Sequence, residues 1–416
     1  FNVLQRNGDV INARAGCRIE IVQVASRRPN PACELGDTPV TEDVFAVARN
    51  PDVDILVELI GGITVARELI LDAIEQGKHV VTANKALIAE HGNEIFNAAR
   101  VKGVTVAFEA SVAGGIPIIK AIREGLSANR IEWLAGIVNG TGNFILTEMR
   151  DKGRAFDDVL VEAQQRGYAE ADPTFDVEGN DAAHKLVILA SLAFGIPLQF
   201  EKVFTEGISN LDTQDVAYAR QLGYQIKHLG IARRNNGGIE LRVHPTLIPR
   251  KRLLANVDGV MNAVVVKGGA VGPTLYYGPG AGDEATASAV IADIIDAARS
   301  VAAKSNQRVP YLGFEPAAME DLPVLPMEDV QSAYYLRIQA LDRPGVLAKV
   351  ASILSEHGIN IESIMQKESE LKDGRIPVII LTHTVQERQI NRAIEELEAL
   401  SDIDEKVVRI RAENFN

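Results

Sequence analysis

The chain has 416 residues, enough for two to four domains each with its own core, which excludes a single small module. Lys and Arg number 43 against 56 Asp and Glu, so the net charge is −13; a polyanion held on a basic surface, and with it a nucleic-acid partner, is not expected. Hydrophobic residues at 46% and charged residues at 24% are ordinary for a soluble globular chain and exclude wholesale disorder.

From Arg18 to Val112, short β-branched runs alternate with helical stretches, as a parallel α/β sheet requires. Strands are expected over Ile19 to Val24, Asp54 to Leu59, His79 to Thr82 and Val104 to Phe108. Between the second and third, Val65 to Gln76 has apolar residues at helical spacing, with Gly77 placed to end it. The pattern is βαβ and predicts a doubly wound, Rossmann-like sheet. Cys17 and Cys33 are too few for a disulfide framework and follow no apolar signal segment, so a reducing cytoplasm is the simplest compartment.

After Ser111 the texture changes. Gly114, Gly115 and Pro117 precede a helix, and Ile131 to Val138 reads as a strand running into the turn-rich Asn139-Gly140-Thr141-Gly142-Asn143. Helices are expected at Phe156 to Gln165 and Asp181 to Phe194, with β segments around Ile239 to Leu247 and Ala263 to Lys267, together a mixed α+β domain. The most apolar stretch, Leu186 to Leu198, is broken by Ser191, Gly195 and Pro197 and falls short of the about 20 residues a membrane span needs. A glycine cluster, Gly278 to Gly282, opens a helix from about Glu284 to Ser300 that is expected to pack back towards the first domain. The cluster follows no βαβ strand, and G-x-G-x-x-G is absent from the start of the chain.

Pro310, Pro316, Pro323 and Pro326 mark Val309 to Asp329 as an extended linker, because proline fixes φ and bars helix continuation. Beyond it, Ala333 to Gln339 (strand), Gly345 to His357 (helix), Asn360 to Gln366 and Arg375 to Thr382 (strands), Glu387 to Leu397 (helix) and Glu405 to Arg411 (strand) give the βαββαβ order of a ferredoxin-like unit. The expected division is 1–130, a nucleotide domain; 131–308, a substrate and dimerisation domain; 309–329, a linker; and 330–416, a regulatory domain.

The most informative stretch for chemistry runs from Gly167 to Lys185. Turn signals at Asp172-Pro173 and Glu178-Gly179 leave Glu170 on a loop before a helix, and Asp181 and Lys185, four apart, share a helical face. An amine held this way can exchange a proton with a substrate hydroxyl. The plain alternative is a helix cap paired with a surface lysine. Against it, Leu186 to Leu189 make the helix apolar nearly all round, and a charge pair on a buried helix needs a reason. Thr82-Ala83-Asn84-Lys85 and Gly61-Gly62 end their strands at carboxyl edges, where open α/β sheets bind ligands; a solvated lysine and ordinary turn chemistry are the alternatives. Arg27 and Arg28 stand where an NAD-preferring fold presents an acidic residue, which tilts the cofactor towards NADP. The seven histidines are scattered and supply no structural zinc site.

Through Val57-Glu58-Leu59-Ile60-Gly61-Gly62, Thr82-Ala83-Asn84-Lys85, Phe108 to Pro117, Asn139 to Asn143 and Gly167 to Lys185, the whole chain resembles homoserine dehydrogenase in its longer bacterial form with a carboxyl-terminal ACT domain. The resemblance implies an NAD(P)-dependent oxidoreductase acting on a CH–OH group, interconverting L-homoserine and L-aspartate 4-semialdehyde in threonine, methionine and isoleucine synthesis. It implies that Gly167, Glu170 and Asp181 lie at the substrate, that Lys185 exchanges the proton, and that Lys85 lies beside nicotinamide and substrate. It further implies cofactor contacts at Gly61 and Gly282, and a sodium ion held largely through backbone oxygens of Glu109, Val112, Gly114 and Ile116. The first residue is Phe1, not Met, and the family's first strand and glycine turn are expected to precede it. Asp342 to Leu347 resembles the ligand loop of an ACT domain, so feedback inhibition by threonine and a homodimer or homotetramer are expected. A competing reading is a non-catalytic amino-acid sensor on a dehydrogenase scaffold, which has no use for the Glu170, Asp181 and Lys185 set.

Overall fold

The computed structural model describes residues 1–28, 30–235, 237–303, 309–366 and 374–415. The fold is mixed α/β, and by its internal contacts the chain divides into two compact units. Among the described residues no helix is long and apolar enough to cross a membrane.

The first unit comprises residues 1–134, 183–203 and 261–322. At its centre is a parallel sheet of Ile55–Glu58, His79–Thr82 and Val106–Ala107, with His79–Thr82 in the middle and all four of that strand's residues buried. The helix Thr64–Glu75 buries Leu69, Ile70, Ala73 and Ile74, as its apolar spacing predicts, but Val65, expected on the same stripe, is exposed and Ala66 is buried in its place. The helix Asp283–Ala303 lays Ala289, Val290 and Ile294 against Val81, Ala107 and Ala110, and Ile291, Ile295 and Ala298 against Ile11 and Ala15. Met261–Gly268 and Gly272–Pro279 form an antiparallel hairpin.

Two of the expected strands differ in the structure. The run Ile19 to Val24 is not a strand: only Val24–Ala25 pairs, in a separate two-stranded parallel sheet with Val40–Thr41. Val104 to Phe108 shortens to Val106–Ala107, because its ladder to His79–Thr82 ends there.

The second unit comprises residues 135–182, 204–260 and 323–416. The twelve-residue strands Tyr224–Asn235 and Gly238–Pro249 pair antiparallel from Tyr224–Pro249 to Asn235–Gly238. Beside Gly238–Pro249 runs Ile403–Ala412, parallel through Arg411–Thr246 and Ala412–Leu247, followed in order by Gln331–Leu341, Arg375–Thr382 and Ile361–Gln366. These last four strands have the antiparallel order of a ferredoxin-like unit. Alternation along Gln331–Leu341 gives the sheet two cores. Tyr334, Leu336, Ile338 and Ala340 pack under the helices Val346–Glu356 and Glu387–Glu398. On the opposite face Tyr335, with Ile379, Leu381 and Ile410, joins Phe144, Ile145, Met149, Val159 and Val216. The carboxyl-terminal segment thus shares a core with residues 144–226.

Asn139 to Asn143, expected as a turn, instead begins the helix Gly140–Lys152, with Asn139 as its cap: its Oδ1 accepts from the Gly142 amide at 2.7 Å.

Candidate active site

In the second unit, Asn139 does more than cap a helix. Its Nδ2 donates to Asp176 Oδ1 and to Asp181 Oδ2, both at 2.8 Å, while its Oδ1 receives the Gly142 amide. Asn139 is 6% and Asp181 4% exposed, so one carboxamide with two donors aims a buried carboxylate at the start of the helix Asn180–Phe194. The turn into that helix needs Gly179, at φ 88°, because a Cβ there would come within about 3 Å of Thr205, Val243 and His228. Glu170, one of the expected substrate residues, is exposed on the loop, its carbonyl accepting from Gln164 Nε2 at 3.1 Å. Gly167 lies at the loop's start with φ 72°. Tyr168, next to it, offers its carbonyl to Thr141 Oγ1 at 2.6 Å. Asn139 thus ties Asp176 to Asp181, and Thr141, two residues on, ties down the loop that carries Gly167 and Glu170 through the Tyr168 carbonyl; Asn139 was unrecognised as a site residue. Its signal was present: an asparagine directly before an apolar-periodic stretch is a helix cap.

In the first unit the two strand ends are tied together by Glu58, which is 1% exposed. Its Oε1 accepts the Ile60 and Gly61 amides at 2.8 and 3.0 Å, and its Oε2 accepts the Thr82 hydroxyl at 2.6 Å. Asn84 then donates to the Gly62 carbonyl at 2.6 Å and caps the helix Lys85–Lys102 through the Leu87 amide. Gly61 and Gly62, at φ 72° and 71°, are exposed and have nothing within 4 Å of a built Cβ, leaving open backbone at the sheet's carboxyl edge. That edge fits a dinucleotide's close approach. Lys85 is the half-buried first residue of its helix.

Lys185, half-buried and one turn after Asp181 on the helix Asn180–Phe194, follows His184. His184 stacks on Phe200 at 4.0 Å and lies 3.3 Å from Glu90 Oε1, which belongs to the helix that Lys85 begins. Asn93 of that helix exchanges hydrogen bonds with the backbone of Leu198, at 3.1 and 3.2 Å. The two segments carrying Lys85 and Lys185 are therefore fixed to each other.

The segment from Glu109 to Ile116 forms a third feature. The Glu109 carboxylate accepts the Ile119 and Lys120 amides at 2.8 and 2.9 Å, and the Glu109 amide donates to Asp293 Oδ2 at 2.8 Å. Burial, with Asp293 close by, pushes Glu109 up to about 7; burial likewise raises Asp293 to about 6. Since the side chain of Glu109 is committed to two amides, a cation here would be held by main-chain oxygens, the donor set that suits sodium. Val112 and Ile116 are buried, Ala113 has φ 56°, and Gly114, at φ 51°, approaches so closely that a Cβ would lie 2.5 Å from the Gly280 carbonyl oxygen. This contact sets the 109–116 segment against the glycine cluster, whose exposed Gly282 precedes the helix Asp283–Ala303. Arg27 lies apart, exposed after the strand Val24–Ala25.

Comparison with known proteins follows this layout. Residues 1–109 match the family model for the NAD-binding domain of homoserine dehydrogenase, 117–295 the homoserine dehydrogenase model, and 334–402 the ACT domain model. A homoserine dehydrogenase of Pseudomonas aeruginosa is 68% identical over 416 residues, covering 100% of this chain and 96% of the relative. One of Neisseria gonorrhoeae is 53% identical over 415 residues, covering 100% and 95%. The crystal structure of a homoserine dehydrogenase from Thiobacillus denitrificans superimposes with a TM-score of 0.95 at 60% identity, covering 100% of this chain and 95% of that one. Identity at this level over essentially the full length, with three family models in the order read from the sequence, places the chain in the homoserine dehydrogenase family.

Proposed function

We propose that the protein is an NAD(P)-dependent oxidoreductase that interconverts L-homoserine and L-aspartate 4-semialdehyde. The observation that carries this reading is the buried Asp181 carboxylate, aimed by Asn139, one helical turn before Lys185 in a chain of this family.

In this reading Asp181 and Glu170 hold the amino and hydroxyl region of the substrate, with Gly167 shaping the loop. Lys185 accepts the hydroxyl proton as the carbon is oxidised and returns it in the reverse direction, as a general base and acid. Lys85 supplies a cation beside substrate and nicotinamide, and its charge favours the neutral form of Lys185 that accepts the proton. The dinucleotide, when bound, supplies the hydride exchange. The chain's part is positioning: the open backbone at Gly61 and at Gly282 admits the cofactor, and Arg27 offers a cation that favours NADP over NAD by accepting a 2′-phosphate. Main-chain oxygens of Glu109, Val112, Gly114 and Ile116 hold a sodium ion, supported by the commitment of the Glu109 side chain to amides.

The four sequence-defined parts keep their roles here: 1–130 for nucleotide, 131–308 for substrate and dimerisation, 309–329 as linker and 330–416 for regulation. The ACT segment takes threonine as a feedback effector, with Gly345, at φ 92°, starting the helix Val346–Glu356 next to the loop that would receive it. The active form is a homodimer or homotetramer working in the cytoplasm on threonine, methionine and isoleucine synthesis. Homoserine-dependent reduction of NADP and of NAD, each with a threonine titration, tests the reading. Turnover with homoserine that threonine depresses supports it; no turnover, with threonine binding retained, supports the amino-acid sensor instead.

A further inference from the structure

A cavity of about 170 Å³ in the second unit is lined by Arg150, Asp151, Arg220, Gln225, Arg250 and Asp258. Its floor is a closed charge network. Arg150 donates to Asp258 Oδ1 and to Gln225 Oε1, both at 2.7 Å, and holds both oxygens of Asp151 at 2.7 and 2.9 Å. Behind it Lys227, 1% exposed, donates to Asp258 Oδ1 at 2.9 Å, to the Val257 carbonyl at 2.5 Å and to Asn143 Oδ1 at 3.2 Å.

The upper groups differ from the floor. Among the described residues the guanidinium groups of Arg220 and Arg250 make no hydrogen bond or ion pair. Gln225 is nine-tenths buried, with its oxygen taken by Arg150 and its amide nitrogen without an acceptor among the described residues. Three arginines and two aspartates line the cavity and Lys227 stands behind, so positive charge is in surplus in a chain whose net charge is −13. Asp151, held below the usual carboxylate range chiefly by Arg150, also faces the charge of Arg220 and leaves that surplus in place.

Two guanidinium forks and a buried amide donor match the oxygens of a tetrahedral anion, to which arginine binds in two-pronged fashion. The volume is below the about 300–1,000 Å³ of pockets for drug-sized ligands, which leaves room for a phosphoryl group and a short stub but not a nucleotide. We propose that this cavity is a binding site for a doubly charged phosphoryl group, free or carried by a small phosphorylated molecule, gripped by Arg220 and Arg250 with Gln225 donating from the wall.

Calorimetric titration of the full chain with inorganic phosphate, and in a second arm with glycerol 3-phosphate, tests it, with sodium chloride holding the ionic strength constant. Saturable one-to-one binding is expected, weakened about tenfold or more in Arg220→Ala and in Arg250→Ala, since each removes a charged hydrogen-bonding group. Both side chains are exposed, and unchanged melting in phosphate-free buffer shows the variants folded; Arg250→Lys, which keeps the charge and loses the fork, is expected in between. The two arms tell the free ion from the ester. Phosphate can also meet the cofactor region, so an isotherm identical in the parent and both alanine variants assigns the anion elsewhere and overturns the proposal. So does the absence of saturable heat in both arms.

Discussion

Removing the Asn139 carboxamide strips the buried Asp181 and the half-buried Asp176 of a donor at once and uncaps a helix. Each lost bond runs to a charged acceptor at 2.8 Å, a class worth about 1.5–3 kcal/mol, and the lost cap adds about 0.5–2 kcal/mol. Asp176 is only half-buried and water replaces part of its bond, so Asn139→Ala is expected to cost about 3 kcal/mol. At about 2–4 °C per kcal/mol for a unit of this size, the melting midpoint falls by about 6–12 °C. Asp181 also loses one of the donors that orient it, so KM for homoserine rises about tenfold or more in steady-state assays at a temperature where the variant is folded. Asn139→Asp separates the two roles. It keeps an oxygen for the Gly142 amide but brings a third carboxylate to Asp176 and Asp181, so it is expected to melt no higher than the alanine variant. An alanine variant that melts within about 2 °C of the parent with an unchanged KM would refute the reasoning.

Gly114→Ala places a Cβ 2.5 Å from the Gly280 carbonyl oxygen at φ 51°, whereas Gly103→Ala, at φ 67°, meets open space. Thermal melting should show a cost of about 1–2 kcal/mol for the second and clearly more for the first. Arg337 grips Asp215 through two bonds, at 2.7 and 3.0 Å, and Asp215 is fully buried beneath Tyr335, whose hydroxyl donates to it at 2.8 Å. Arg337→Met strands that carboxylate and should cost about 3–5 kcal/mol in denaturant unfolding, and Asp215→Asn in the same background should recover part of it. The carboxyls of Glu387 and Glu413 both lie below the ordinary value of 4.5, held down against their burial by Arg411 and by Arg242 and Arg233 respectively. A depressed carboxyl stabilises the fold above its unfolded value and loses that contribution as pH falls through the folded one. Melting followed from pH 6 down to about 3 should therefore drop steeply, and less steeply in Glu387→Gln, whose starting stability is lower.

Where local pattern and pairing agree, the fold was legible. His79–Thr82, Phe156–Gln165 and Arg375–Thr382 lie where their periodicity puts them, and the ferredoxin-like order follows from apolar alternation between turn residues. What misled was pairing at a distance. Ile19 to Val24 is β-branched enough for a strand but finds only a two-residue partner. Tyr224–Asn235 escaped notice because Lys227 and His228 interrupt its apolar run, although both are buried, Lys227 on Asp258 and His228 on the Glu206 carbonyl. The proline-rich stretch before residue 330 suggested an independent tail, yet Tyr335, Leu381 and Ile410 pack on Phe144 and Met149, contacts that no local signal announces. The same holds for Arg411 and Arg242, which are fully buried on Glu387 and Glu413.

Within the proposed site, spacing on an apolar helix singles out Asp181 and Lys185, and the surrounding turns single out Glu170. Asn139 carries a local cap signal, but its tie to Asp176 and Asp181 is not legible, because those carboxylates lie 37 and 42 residues away. Glu58 was hidden in the same way, its partner Thr82 lying on the neighbouring strand.

The account turns on Lys185 as the proton-exchanging group. Its most direct test is the rate of homoserine-dependent cofactor reduction in Lys185→Ala beside the parent, both verified as folded by melting. The account predicts a kcat lower by about 10²–10⁴-fold, with homoserine still binding through Asp181 and Glu170. Full turnover in the variant with an unchanged pH profile would contradict it.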